Sequence, residues 1–125
     1  MVIEGAHLVG AGGALGAMVR YGLGQQVTER EIPWGTVLVN LGGSFLLALL
    51  TILAVDSRFM LLLGTGACGA FTTFSSFSVE TMELWESGQR WTAVAYAGGT
   101  FAGAMGAMGL AWPVAALIRS LALLV

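Results

Sequence analysis

The polar and hydrophobic positions of this chain are laid out as long charge-free runs separated by short charged breaks. Residues 32–55, 59–79 and 91–118 are stretches of 24, 21 and 28 residues without a charge. Each reaches the roughly 20 residues that a helix needs to cross a bilayer core about 30 Å thick. A further run, residues 5–19, is shorter, and crosses only if it continues through 20–24 with Arg20 snorkelling or facing protein. The pattern predicts a single all-α membrane domain over residues 1–125, with four transmembrane helices at roughly 5–24, 32–55, 59–82 and 91–118. Separators at 25–31, 56–58 and roughly 80–90 are short, and Glu80, Glu83 and Glu86 read as one solvated helical side entering the headgroup layer. Trp34, Trp85, Trp91 and Trp112 lie near the predicted span ends, as an aromatic belt requires. Pro33 suits the start of a helix, and Pro113 is expected to kink or terminate the last one.

One run is unlike the others. Residues 64–80, GTGACGAFTTFSSFSVE, carry Thr, Ser, Cys and Glu side chains with three Phe, where Leu and Val alone would span. Polar groups in hydrocarbon cost free energy unless paired or wetted, so their density argues for a site rather than an anchor. Gly64, Gly66 and Gly69 weaken helix continuity just before the Phe residues. A helix broken at its centre, with pendant hydroxyls and rings, points to a transport pathway.

Composition narrows the class. The 125 residues are 57% hydrophobic and 10% charged, with a mean hydropathy of +0.85, too little polar surface for a soluble fold. All five basic residues are Arg and the net charge is −2, so there is no polybasic arm for nucleic acid or anionic lipid. Cys68 is the single cysteine, which excludes an intramolecular disulfide. Glu4 stands where a signal peptide has its basic region, so the first segment is expected to be a retained span.

Charge counting then bears on topology. Four spans place Arg58 and Arg119 on one side, and Arg30 and Arg90 on the other, with Arg20 beside the latter pair. So weak a bias leaves the chain free to insert both ways and to form an antiparallel, dual-topology homodimer. Gly12 with Gly16 and Gly99 with Gly103 form GxxxG pairs that suit close helix packing in lipid.

A few polar side chains exceed what composition requires. Asn40 sits mid-way along span 2, with Thr36 and Ser44 one turn to either side on the same face. Its amide serves either an interhelical hydrogen bond or a ligand. Arg20 either snorkels or sets a positive potential that recruits anions. Phe74 and Phe77 project from nearly one face of span 3, which fits packing or ring edges flanking an anion. Ser75 and its neighbouring hydroxyls can replace part of a hydration shell. Tyr96 and Thr100 are the hydrogen-bonding side chains deep in the Ala/Gly/Met-rich span 4. One His near a terminus permits no Ser–His–Asp arrangement, and no paired carboxylates fall within a span, so the chain is not expected to be an enzyme.

Three ordered motifs carry a resemblance over essentially the whole chain. They are GAMVRY (Gly16–Tyr21), VNLGGSF (Val39–Phe45) and the long Gly66–Glu80 stretch. With these the chain resembles the CrcB/Fluc family of fluoride channels. The resemblance implies antiparallel dual-topology homodimers of four-helix subunits, with two fluoride pores at the dimer interface and passive export of cytoplasmic fluoride. It implies that Asn40 donates to fluoride, that Phe74 and Phe77 form an aromatic box, and that Ser75 and Thr36 lie near the path. Arg20 would stand at the vestibule, and Tyr96 and Thr100 would start a polar track on span 4, where the family's next hydroxyl is replaced by Ala104. It also implies a broken third span whose Gly69 and Thr72 carbonyls hold a structural Na⁺ at the dimer centre. The expected setting is the plasma (inner) membrane of a prokaryote, with fluoride, lipid and a second copy as partners and no nucleic acid.

The nearest alternative is a small multidrug-resistance-type, four-span, proton-coupled exporter. That chemistry needs a membrane-embedded carboxylate in span 1, where this chain has Glu4 at the terminus and Arg20. A small lipid kinase would need metal-binding carboxylates, and a purely structural subunit leaves the polarity of span 3 without a use.

Overall fold

Hydrocarbon offers a backbone no hydrogen bonds, so runs of this apolarity are forced into helices that satisfy themselves. The computed structural model describes residues 2–26 and 31–124, and every regular element among them is helical. Arg30, counted above for topology, lies outside the described residues. The order is α1 (Val2–Gln26), α2 (Trp34–Ile52), α3 (Ser57–Phe59), a π-helical stretch (Met60–Cys68), α4 (Gly69–Phe71), α5 (Phe74–Glu86) and α6 (Arg90–Ala122). Trp34–Ile52, Ser57–Glu86 and Arg90–Ala122 are long and apolar enough to cross a membrane. At 33 residues α6 is about 50 Å long, more than a bilayer core, so its ends extend beyond the hydrocarbon. Pro113 lies inside α6 and does not end it: the helix runs on to Ala122.

The third apolar segment is not uniform. It starts at α3, where the Asp56 carboxylate caps the helix by accepting the Arg58 N–H at 2.9 Å. The stretch holding Gly64 and Gly66 is not broken but widened, into a π-helix. Its reason lies across the bundle, in α1. A methyl group added to Gly12 would collide with the Leu62 carbonyl, and one on Gly16 with the Ala67 carbonyl. The GxxxG face of α1 thus lets the two backbones meet directly, as close packing in lipid demands. The interruption itself comes later, at Thr72 and Thr73, whose ψ angles of 158° and 116° are extended.

Packing inside the bundle is thin, and the apolar surface faces outward. Val37, Leu84, Ala93 and Tyr96 form the buried cluster, flanked by Ile32, Leu41 and Phe77. Ala111 and Ala115 are buried on α6, while Leu15, Met18, Phe101, Leu110 and Trp112 are exposed. A soluble protein would invert that distribution. One end of the bundle is tied by an exposed ion pair, Arg58 to Glu4 at 3.3 Å, and by Arg119, whose guanidinium donates to the Ile52 carbonyl at the end of α2.

Just past α2, Ala54 has a φ of 53°, the left-handed conformation that glycine adopts without steric cost. Replacing Ala54 by Gly should stabilise the fold by about 1 kcal/mol. A higher unfolding midpoint of the detergent-solubilised variant is expected; an unchanged or lower one contradicts the strain at this turn.

Candidate functional site

The extended residues at 72–73 need partners for backbone groups that helical pairing no longer serves. Asn40, in mid-helix on α2, supplies them. Its Nδ2 donates to the Thr73 carbonyl at 3.0 Å, and its Oδ1 accepts the Thr73 N–H at 2.8 Å. The reciprocal pair fixes the amide's orientation and leaves one Nδ2–H uncommitted. The Thr73 hydroxyl in turn accepts the Ser76 N–H at 3.1 Å, capping α5. It also bonds the Ser76 hydroxyl at 3.0 Å and lies 3.3 Å from the Ser75 hydroxyl.

Two carbonyls are freed by these diversions. In a continuous helix the Thr73 N–H would bond the Gly69 carbonyl, and the Ser76 N–H the Thr72 carbonyl. Both donors are engaged elsewhere, by Asn40 and by the Thr73 hydroxyl. The Thr72 hydroxyl folds back on the Cys68 carbonyl at 3.0 Å, so it does not compete for the space beyond. The interruption therefore presents neutral carbonyl oxygens from its first half and a capped helix N-terminus from its second, ends of opposite partial charge.

Two cavities meet at this point. One, of about 220 Å³, is lined by Arg20, Trp34, Thr36, Thr73, Ser76 and Glu80 among others. The second, an open cleft of about 500 Å³, is lined by Asn40, Gly69, Thr72, Thr73, Phe74, Phe77, Thr100 and Ala104, with Ser44 and Thr65 farther along. Thr73 is the one residue whose atoms line both, which makes the interruption the partition between them.

Within the smaller cavity a carboxylate is held rather than solvated. Glu80 accepts the Thr36 hydroxyl at 2.8 Å on Oε1 and the Tyr96 hydroxyl at 2.6 Å on Oε2. Glu83 and Glu86 are exposed, so the solvated side expected for all three carboxylates holds for two. The sequence reading missed Glu80 because both of its partners lie on other helices. The signal that remained was the spacing: Glu80 is one turn beyond Ser76 and two beyond Thr73, on the face that carries the cap. Half-buried Arg20 stands in the same cavity, so one cation and one anchored anion share it.

Of the remaining candidates, Phe74, Phe77 and Thr100 line the larger cleft, and Tyr96 and Ser75 line neither cavity. Phe77 packs on Tyr96 with ring centroids 5.5 Å apart, and lies 5.9 Å from Phe74. Phe74 projects away from the bundle and is 80% exposed, whereas Tyr96 is only 3% exposed. Ser75 is exposed at the first turn of α5. Thr100 is buried, 5% exposed, and its hydroxyl has no hydrogen-bond partner among the described residues. Ala104 follows it on the cleft wall and offers no hydroxyl.

Fold and site together define a multi-pass, all-helical membrane protein with two cavities, one polar and one mainly apolar, set against an interrupted helix. Residues 7–112 match the family model described as CrcB-like protein, Camphor Resistance (CrcB), and the chain belongs to that family. Relatives named fluoride-specific ion channel FluC include one from Haloarcula marismortui, 50% identical over 118 residues, covering 94% of this chain and 99% of the relative. Another, from Halobacterium salinarum, is 50% identical over 107 residues, covering 86% and 90% respectively. A third, from Gloeobacter violaceus, is 43% identical over 114 residues, covering 85% and 91%.

Removing the Asn40 amide strands a buried N–H and C=O of Thr73 at once. Asn40→Ala should cost about 2 kcal/mol or more, given the desolvation of two unpaired groups. The unfolding midpoint in detergent should fall well below that of Ser44→Ala, one turn away. Equal midpoints would remove Asn40 as the clamp on the interruption.

Proposed function

We propose that this chain is a passive fluoride-selective channel, which lets fluoride leave the cytoplasm. The observation that carries the reading is the pairing of an interrupted, apolar-flanked helix with two cavities meeting at Thr73, the smaller one polar and the larger one mainly apolar with pendant hydroxyls. The names of the relatives agree with it. Arg20 draws the anion into the smaller cavity, while Glu80, held by two hydroxyls, limits how tightly the anion is held. The capped N-terminus of α5 then offers positive partial charge at mid-depth, and the uncommitted Nδ2–H of Asn40 offers a donor. Phe74 and Phe77 present ring edges, and Thr100 supplies a hydroxyl with no internal partner. Each group replaces part of a hydration shell without a full charge, so the ion enters and still leaves.

Four spans complete the arrangement, with α1 as the span that Arg20, His7 and its glycines make less apolar than the rest. The open cleft, with Phe74 and Phe101 exposed beside it, suits closure by a second copy. An antiparallel, dual-topology homodimer follows from the even spread of Arg, and gives two pores along the interface. The freed carbonyls of Gly69 and Thr72, with those of the second copy, would hold a structural Na⁺. Neutral oxygen donors suit a hard monovalent cation, which would supply fixed positive charge at the dimer centre. Hydrogen fluoride crosses membranes neutral and dissociates inside, so an inside-negative potential in a prokaryotic plasma membrane drives the anion out, at about 2.3 kcal/mol per 100 mV. The proton-coupled exporter is disfavoured because the carboxylate of α1, Glu4, is exposed at its end and paired with Arg58.

Liposomes loaded with both anions and containing the purified protein should release fluoride and retain chloride. Release of both at equal rates would refute the selectivity. Phe77→Ile removes the ring between Tyr96 and Phe74, and should slow fluoride release by about tenfold, the equivalent of one lost ring-edge contact. Release at the unsubstituted rate would remove Phe77 from the path.

A further inference from the structure

Several hydroxyls on these helices are satisfied by their own backbone. Thr51, Thr72, Ser78 and Thr81 each donate to the carbonyl four residues earlier, the usual solution for Ser and Thr in a helix. Of the hydroxyls that line the larger cleft, three have neither a backbone nor a side-chain partner among the described residues. Thr100 is buried with its hydroxyl unpaired; half-buried Ser44 and exposed Thr65 line the same cleft and make no hydrogen bond to another described residue. In hydrocarbon a hydroxyl that forgoes its backbone carbonyl costs free energy unless something else occupies it.

Their placement is coherent. Ser44 is one turn beyond Asn40 on α2, and Thr65 lies mid-way along the π-helical stretch. Both line the same cleft as Thr100 and Ala104, on the side of the interruption away from the Arg20 cavity. The wall that carries Thr100 turns apolar at Ala104, and it is the opposite walls that provide hydroxyls from there on. A π-helical stretch is a common signature of functional sites in helices. Here it changes the carbonyl register beneath Thr65, which stays free to address the cleft.

We propose that Ser44 and Thr65 form, with Thr100, a hydrated station for fluoride beyond the interruption, taking over along the path where α6 presents Ala104. This inference rests on the channel reading. The bound species is a small monovalent anion with part of its water, held by neutral O–H donors from α2 and the π-helical stretch. Donation from three rotatable hydroxyls follows the ion as it moves, and none of them adds a charge that would trap it.

The test is fluoride release from liposomes containing the Ser44→Ala/Thr65→Val double variant, beside the unsubstituted protein and Thr65→Ser. Valine is nearly isosteric with threonine, so the cleft keeps its shape and loses only the hydroxyls. The double variant should release fluoride at least about tenfold more slowly while eluting from a sizing column like the unsubstituted protein, since it loses two donors and the loss of one to an anion is already of that order. Thr65→Ser, which keeps the hydroxyl, should retain most of the rate. If the double variant misassembles, the two single variants are compared, and each should be slowed. Release within twofold of the unsubstituted rate by the double variant, or by both single ones, overturns the station and leaves the channel intact. Silence of the unsubstituted protein overturns the channel reading, and the station with it.

Discussion

The reciprocal pair between the Asn40 side chain and the Thr73 backbone is the constraint on which the site depends. An interrupted helix at membrane depth is tolerable only where its loosened N–H and C=O groups find partners within the protein. Asn is well suited to this, since its amide offers a donor and an acceptor in the same plane as a peptide group. With Thr73 held by α2, its hydroxyl is positioned to cap α5, and the helix restarts at Phe74. The rest follows from that one fixed residue. Carbonyls of Gly69 and Thr72 lose their helical donors, and Thr73 comes to separate the two cavities.

A small anion demands strong donors, yet a pore built from fixed charges would hold it too long. On the proposed reading the bundle would distribute the task over weak sources: a helix end, an amide hydrogen, ring edges and hydroxyls without internal partners. Arg20 lines the smaller cavity, and it shares that cavity with a carboxylate held by Thr36 and Tyr96. An anchored carboxylate has less of its charge to spend on repelling or binding a passing ion, because two hydroxyls already donate to it. The backbone carries much of the electrostatics, which explains how a chain that is 10% charged can manage an ion.

Much of this was legible in the sequence, for identifiable reasons. Charge-free runs report helices because lipid permits little else, and three such helices are long and apolar enough to cross. The polar density of residues 64–80 flagged the site because hydroxyls in hydrocarbon need a purpose. What the sequence could not supply were relations between helices. Glycine propensity pointed to a break near Gly64–Gly69, but those residues stay helical in a widened form. Among them it is Gly66 whose small size serves close contact with α1, at Gly12 and Gly13. The interruption falls at Thr72–Thr73, where the partner is an Asn 33 residues away. Glu80 shows the same limit: its spacing matches an exposed helical side, and only the approach of α2 and α6 makes it a held group. Asn40 was expected to meet the ion, and in the structure its amide fixes the Thr73 backbone.

The central claim is that fluoride itself carries charge through this protein, in preference to other anions. The most direct measurement is the reversal potential of the protein in a planar bilayer, with a tenfold fluoride gradient and equal chloride on both sides. The account predicts a potential near the fluoride equilibrium value, about 59 mV for a single charge. A potential near zero, with the current unchanged when fluoride is replaced by chloride, would contradict it.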